Sequence, residues 1–150
     1  MQKTNVMRLL DRHKVTYEMA DWGQGVPERI AGTRVYKTLV TVGKSGEHYV
    51  FVIPTDRELD LKKAAAAVGE KNIHMIKEKE LLPLTGYVHG GCSPIGMKKQ
   101  FKTCFDRSAQ TEERIFFSAG RVGQSVAVQP ADLSEVLSVA YFDLTAAGEG

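Results

Sequence analysis

VYKTLVTVGKSGEHYVFVI, residues 35–53, holds two runs rich in β-branched and aromatic residues, 35–42 and 48–53, joined by Gly43-Lys44-Ser45-Gly46-Glu47. Apolar runs of that length around a glycine-bearing turn predict a β-hairpin. Upstream, Val6, Leu9 and Leu10 share one face of a short helix over 5–13, capped by Thr4 or Asn5. Val15, Tyr17 and Met19 alternate with polar residues and predict a strand. A loop over 21–25 carries the only tryptophan, Trp22, read as a core or rim packer whose face could stack on a base. Residues 27–30 predict one helical turn closed by Gly32. Downstream, Asp60 begins a helix ended by Gly69, 73–76 is a short strand, and 78–82 is a short helix stopped by Pro83. Segments 100–105, 114–118 and 125–128 are extended, Pro130 opens a helix to Leu137, 139–144 returns as an edge strand, and 145–150 frays. Strands in antiparallel order, with helices interspersed but no regular alternation, predict an α+β fold. Its expected form is a mixed, barrel-like sheet core with flanking helices.

At 150 residues the chain is the size of one domain, taken as 1–150, and large enough to bury a core without staples. No apolar run is long enough to cross a bilayer and no secretory leader is visible, so a cytoplasmic protein with no membrane partner is expected. A net charge of +2 is too small to argue for nucleic acid by itself, so any RNA recognition must be local. Cys92 and Cys104 form neither a metal-ligand pair nor a Cys-x-x-Cys pair, and are expected to be reduced.

The chemistry concentrates in 86–96, GYVHGGCSPIG, where four glycines and a proline fix an unusual backbone path. The amides of Gly90 and Gly91, the Ser93 hydroxyl and the Cys92 thiol converge there, an arrangement able to hold an anion or a carbonyl oxygen. Cys92 and His89 could be nucleophile and base, but the stronger reading makes Cys92 a small apolar side chain. His13, His48, His74 and His89 are scattered, so neither metal nor cofactor is expected. No phosphate-binding Gly-x-x-x-x-Gly-Lys-Ser/Thr loop occurs, which argues against nucleotide hydrolysis. Lys37 falls on the strand face of Val35 and Leu39: it is either a solvated edge-strand lysine or a charge held in a cleft. Lys98, Lys99 and Lys102 follow the glycine-rich loop, as a solvated face or as contacts to a phosphate backbone.

Tyr36-Lys37-Thr38-Leu39, Leu59-Asp60-Leu61-Lys62-Lys63, Thr85-Gly86-Tyr87, Gly90-Gly91-Cys92-Ser93-Pro94-Ile95-Gly96 and Phe117-Ser118-Ala119-Gly120 occur in that order. Together they resemble the YbaK/EbsC family of trans-acting aminoacyl-tRNA deacylases, related to the editing domain of bacterial prolyl-tRNA synthetases. The likeness runs from about Val15 to Leu144. It implies a barrel-like mixed fold and hydrolytic editing of mischarged aminoacyl-tRNA, with Cys-tRNA(Pro) the foremost substrate. It also implies that Lys37 lies in the substrate pocket and is needed for activity. Gly90, Gly91, Ser93, Pro94 and Gly96 would form the loop on the terminal adenosine and the ester, with Ser118 and Gly120 at a second pocket-lining strand end. In the family's prototype deacylase no side chain acts as nucleophile or metal ligand, and the likeness implies that the cysteinyl substrate's own thiol attacks its ester. The implied partners are the tRNA acceptor end and prolyl-tRNA synthetase. The family often has Gly where this chain has Ala119 and an acidic residue near Ser125, departures that bear on amino-acid specificity. Deacylation of another small residue, Ala or Ser, and a non-catalytic module for an RNA 3′ end or a protein are the alternatives.

Overall fold

The hairpin forms where the sequence places it: β4 (Tyr36–Gly43) pairs antiparallel with β5 (His48–Pro54), with Lys37 opposite Ile53 and Val40 opposite Val50. The computed structural model describes residues 2–23 and 25–146, so most of the tail expected to fray lies outside the described residues. Before the hairpin come β1 (Glu18–Asp21), β2 (Arg29–Ile30) and β3 (Thr33–Arg34). After it come β6 (Ile73–Met75), β7 (Lys102–Asp106), β8 (Ile115–Ser118), β9 (Gln124–Val128) and β10 (Val139–Phe142). One sheet runs β10-β7-β5-β4-β6, a second runs β1-β9-β8, and β2 pairs with β3.

The α+β mixed architecture agrees with the sequence reading, while two details differ. The neighbours are not all antiparallel, because β5, β7 and β10 run parallel. Nor do the sheets close into a barrel: outside the named ladders, β4 and β8 meet through a single parallel bridge, Val35–Phe116.

Among the described residues three α-helices cover the sheets. α1 (Asn5–Arg12) is capped by Thr4, whose Oγ1 accepts from Met7 N at 3.2 Å, and buries Val6, Met7 and Leu10. α2 (Leu61–Val68) is capped by the Asp60 carboxylate on Lys62 N and Lys63 N and ends at Gly69 in the left-handed region. α3 (Glu78–Thr85) runs on through Pro83, which the sequence reading made its stop. Beyond the proline, Gly86 N donates to Leu82 O and the Thr85 hydroxyl to Leu81 O, both at 2.8 Å, closing the last turn.

Other boundaries shift for local reasons. The first strand begins at Glu18, not Val15, because Val15 N donates to Leu10 O in the left-handed ending of α1 and its side chain is buried there. The helical turn expected at 27–30 is instead the β2–β3 pair. Ala31 and Gly32 both have positive φ, the signature of a two-residue type I′ turn. The helix expected from Pro130 is a short 3-10 turn, Pro130–Glu135, and the edge strand expected at 139–144 is β10 over Val139–Phe142.

Both faces of the five-stranded sheet are covered. Tyr36, Val40, Val50, Val52 and Phe105 pack with α1, Phe117, Val126 and Val128 in the larger core. Phe51, Ile53 and Cys104 face α2 through Ala64 and Ala65, with Ile73 and Leu144. That alternation along β5 explains its continuous apolar run.

Candidate functional site

Among the described residues, β4 has a strand neighbour on its outer side at both ends but not in the middle. At its start Val35 bridges Phe116, and at its end β6 pairs with 41–43. Ile76 N donates to Val40 O at 3.3 Å, so strand alternation turns the peptide groups of Thr38 toward that same open side. A cleft of about 380 Å³ fills the gap where β4 and β8 splay apart.

The walls come from five places in the chain. β4 contributes Lys37 and Thr38; the β8–β9 pair contributes Ser118 and Ser125, which are register partners. The segment through β6 and α3 adds Ile76 and Leu81, the glycine-rich loop adds His89, Gly90 and Cys92, and the loop after β1 adds Trp22. Trp22 is fixed twice to β9 and its turn, by Trp22 N donating to Gly123 O and the indole Nε1 donating to Ser125 Oγ, both at 2.9 Å. The Lys37 ammonium stands 3.9 Å from Glu58 Oε1, and since Glu58 is 88% exposed this pair contributes little. Thr38 Oγ1 is buried and, among the described residues, has no hydrogen-bond partner.

Of the residues singled out in the sequence, the structure thus gathers Trp22, Lys37, His89, Gly90, Cys92 and Ser118 on one cleft. Gly91, Ser93, Pro94, Gly96, Gly120, Lys98, Lys99 and Lys102 are not on its walls. Gly91 packs on the β8–β9 turn so closely that a Cβ would lie 3.0 Å from Val122 N. Ser93 is fully buried, with its Oγ facing Ile95 N, and Pro94 O accepts from Gln100 Nε2 at 3.1 Å. Gly96 and Gly120, both at positive φ, lie against Tyr87, whose hydroxyl donates to Ile95 O at 2.6 Å. Lys98 lies along Gly86, Lys99 sits over the Phe101 ring at 5.8 Å, and Lys102 begins β7. Sequence reasoning missed Thr38, Ile76 and Leu81, and marked Ser125 only as a departure from the family pattern that bears on specificity. The one usable signal was Thr38, a polar residue beside Lys37 on the opposite strand face.

Cys92 is a buried free thiol, and its burial pushes it up to about 12; the Tyr87 phenol is likewise pushed up to about 12. A protonated Cys92 is no nucleophile, which leaves it an apolar wall. In the unfolded chain both groups ionise at ordinary values. Their contribution to stability is therefore complete below about pH 8.5 and is lost as pH rises toward 12. A thiol reagent at pH 8 is expected to leave Cys92 and Cys104 unlabelled in the native protein and to label both in urea. Rapid native labelling would put a thiolate in the cleft and overturn this assignment. Among the described residues no three His, Cys, Asp or Glu side chains cluster as metal ligands, and no helix is long and apolar enough to cross a membrane.

A family described as "Aminoacyl-tRNA editing domain" matches residues 19–136. The chain is 41% identical over 154 aligned positions to "Putative Cys-tRNA(Pro)/Cys-tRNA(Cys) deacylase EbsC" of Enterococcus faecalis, covering 96% of this chain and 94% of that one. It is 30% identical over 102 positions to the prolyl-tRNA editing protein ProX of Acetoanaerobium sticklandii, covering 67% and 57%. In fold it is similar to the crystal structure of "a putative trans-editing enzyme for prolyl tRNA synthetase", with a TM-score of 0.77, 22% identity and full coverage of both chains. The crystal structure of a hypothetical protein superposes with a TM-score of 0.82 at 21% identity, covering 95% of this chain.

Proposed function

The chain belongs to the aminoacyl-tRNA editing domain family, and from that premise we propose that it deacylates mischarged tRNA, with Cys-tRNA(Pro) as its substrate. The observation that carries the reading is Lys37, a cation on the wall of a mainly apolar cleft sized for a small side chain and part of a nucleoside. The terminal adenosine enters past the loop of Gly90 and the Trp22 indole, and the aminoacyl group reaches the gap beside Thr38.

In the proposed reaction the substrate's own thiol sulfur attacks the ester carbonyl carbon. An S–C bond forms, the C–O bond to the ribose breaks, and the thiol proton ends on the departing ribose oxygen. The products are uncharged tRNA and a cysteine thiolactone, which water then opens. Lys37 faces the carbonyl oxygen as negative charge develops on it, and the cleft walls hold sulfur and carbonyl within reach of each other. The protein supplies orientation and charge, and neither a side-chain nucleophile nor a metal is used. Such a reaction belongs in the cytoplasm, where prolyl-tRNA synthetase, the proposed partner in a ternary complex, charges the tRNA.

The test is deacylation of Cys-tRNA(Pro), Ala-tRNA(Pro), Ser-tRNA(Pro) and Pro-tRNA(Pro), each with and without EDTA. Selective loss of the cysteinyl ester, unchanged by EDTA, is expected. Equal turnover of the alanyl ester would require water as the attacking group and overturn the thiol route. Binding of the RNA 3′ end with no turnover of any ester would make the protein a binding module.

A further inference from the structure

The parallel strands β5, β7 and β10 all end at the same edge of the molecule, and a second cavity of about 290 Å³ opens beyond their carboxyl ends. Open sheets with parallel strands place ligands at such edges. This crevice is polar and mostly cationic: Arg34, Arg57, Lys63 and Arg107 line it with Asp106 and Asp143.

The two carboxylates are already engaged. Asp106 is buried, its oxygens accepting from Leu144 N at 3.0 Å and Ser108 N at 3.1 Å. Asp143 is shared by Lys63 at 3.0 Å and Arg107 at 3.7 Å, cations that hold its carboxyl below the usual range. Arg34 meets Asp56 at 3.3 Å from the rim. Among the described residues Arg57 has no ion-pair partner, and Arg107 remains 69% exposed. The crevice keeps an excess of positive charge, carried by guanidinium forks that match phosphate oxygens in pairs.

The crevice adjoins the cleft. Tyr36 lines the cleft, and its hydroxyl lies 2.8 Å from the Oγ of Ser108, which lines the crevice. Around the outside, Glu58 lies beside both Lys37 and Arg57. We propose that this crevice binds a backbone phosphate of the RNA whose aminoacylated end occupies the cleft. The assignment rests on the deacylase reading above. It also favours this edge over Lys102, which begins β7 at its opposite end, roughly 13 Å away at strand rise, and over Lys98 and Lys99, which precede that strand.

The test is binding of a fluorescent, uncharged acceptor-stem RNA by anisotropy between about 50 and 200 mM KCl, independent of any hydrolysis. Arg57→Glu is expected to weaken binding about tenfold, and Arg107→Ala to flatten the slope of log Kd against log salt by up to about one. Arg57→Lys, which keeps the charge, should restore the slope. With Cys-tRNA(Pro), the Arg57→Glu effect should fall on KM and be absent with cysteinyl-adenosine, which has no phosphodiester. Wild-type affinity and slope in both Arg57→Glu and Arg107→Ala would overturn the proposal. So would a slope that follows Lys98→Ala/Lys99→Ala instead. If inorganic phosphate, titrated at constant ionic strength, raises the melting temperature of wild type but not of Arg57→Glu while RNA affinity is equal in both, the crevice is a free-anion site and the RNA assignment fails. Absence of wild-type hydrolysis with intact, Arg57-dependent RNA binding would sink the deacylase reading and leave the crevice standing.

Discussion

Lys37→Ala is expected to lower kcat/KM for Cys-tRNA(Pro) by about 10²- to 10³-fold, the range lost when one preorganised oxyanion donor is removed. The loss should fall chiefly on kcat, because the interaction strengthens as the carbonyl oxygen becomes an oxyanion. Stability should change little. The Lys37 side chain is partly exposed, its only ion pair among the described residues is the 3.9 Å contact to an exposed Glu58, and an alanine keeps the β4 ladder with Ile53. Lys37→Arg separates charge from shape: it keeps the cation but places a wide planar group where a compact ammonium stands, and should recover only part of the rate. Full activity in Lys37→Ala with an unchanged melting temperature would remove Lys37 from the chemistry and leave the cleft as a binding pocket.

Gly120→Ala is expected to destabilise the fold by about 2–4 kcal/mol, through a left-handed backbone penalty and an overpacked contact. At this chain length that corresponds to a fall in melting temperature of about 5–15 °C. Gly120 has φ +89°, and an added Cβ would meet Tyr87 Cε1 at 3.0 Å and Val6 Cγ2 at 3.1 Å, both in the core. Neither neighbour can withdraw easily: Tyr87 is tied to Ile95 O, and Val6 is fully buried on α1. The same turn orients the cleft, because Gly120 N donates to Ser118 Oγ at 3.1 Å. Activity should therefore fall more than the population of folded protein explains. A wild-type melting temperature would show that the turn relaxes away from Tyr87.

The hairpin was legible because its code is local: alternating Val, Tyr and Phe around a glycine turn admit one register. The parallel pairing of β7 with β5 and β10 was not, since its partners lie some fifty and thirty-five residues away with no local mark in either strand. The type I′ turn was hidden by Ala31, a residue seldom left-handed, so Gly32 looked like the end of a helix. In the cleft, Lys37 was visible as a charge breaking an apolar strand. Ser125 was marked only by the family likeness, because its place in the cleft follows from pairing with Ser118 across β8 and β9. Glycine density in 86–96 signalled a backbone that something approaches closely. At Gly96 that something is the protein's own Tyr87 and Asn5, and only Gly90 opens on the cleft. Glycine announces a close neighbour without naming it.

The unpaired stretch in the middle of β4 bears on self-association. A strand with free donors and acceptors along one side invites a second chain to add to it, and proteins guard such edges with short strands, charge or cover. Here the exposed run is bounded by Val35–Phe116 at one end and β6 at the other, and it lies at the floor of a recess walled by Trp22, α3 and the glycine-rich loop. An incoming strand needs several residues in register and the recess gives it no room. A single nucleotide with a short acyl group, the occupant proposed above, needs no register, so a recess that would admit it still offers no edge for a second chain to extend.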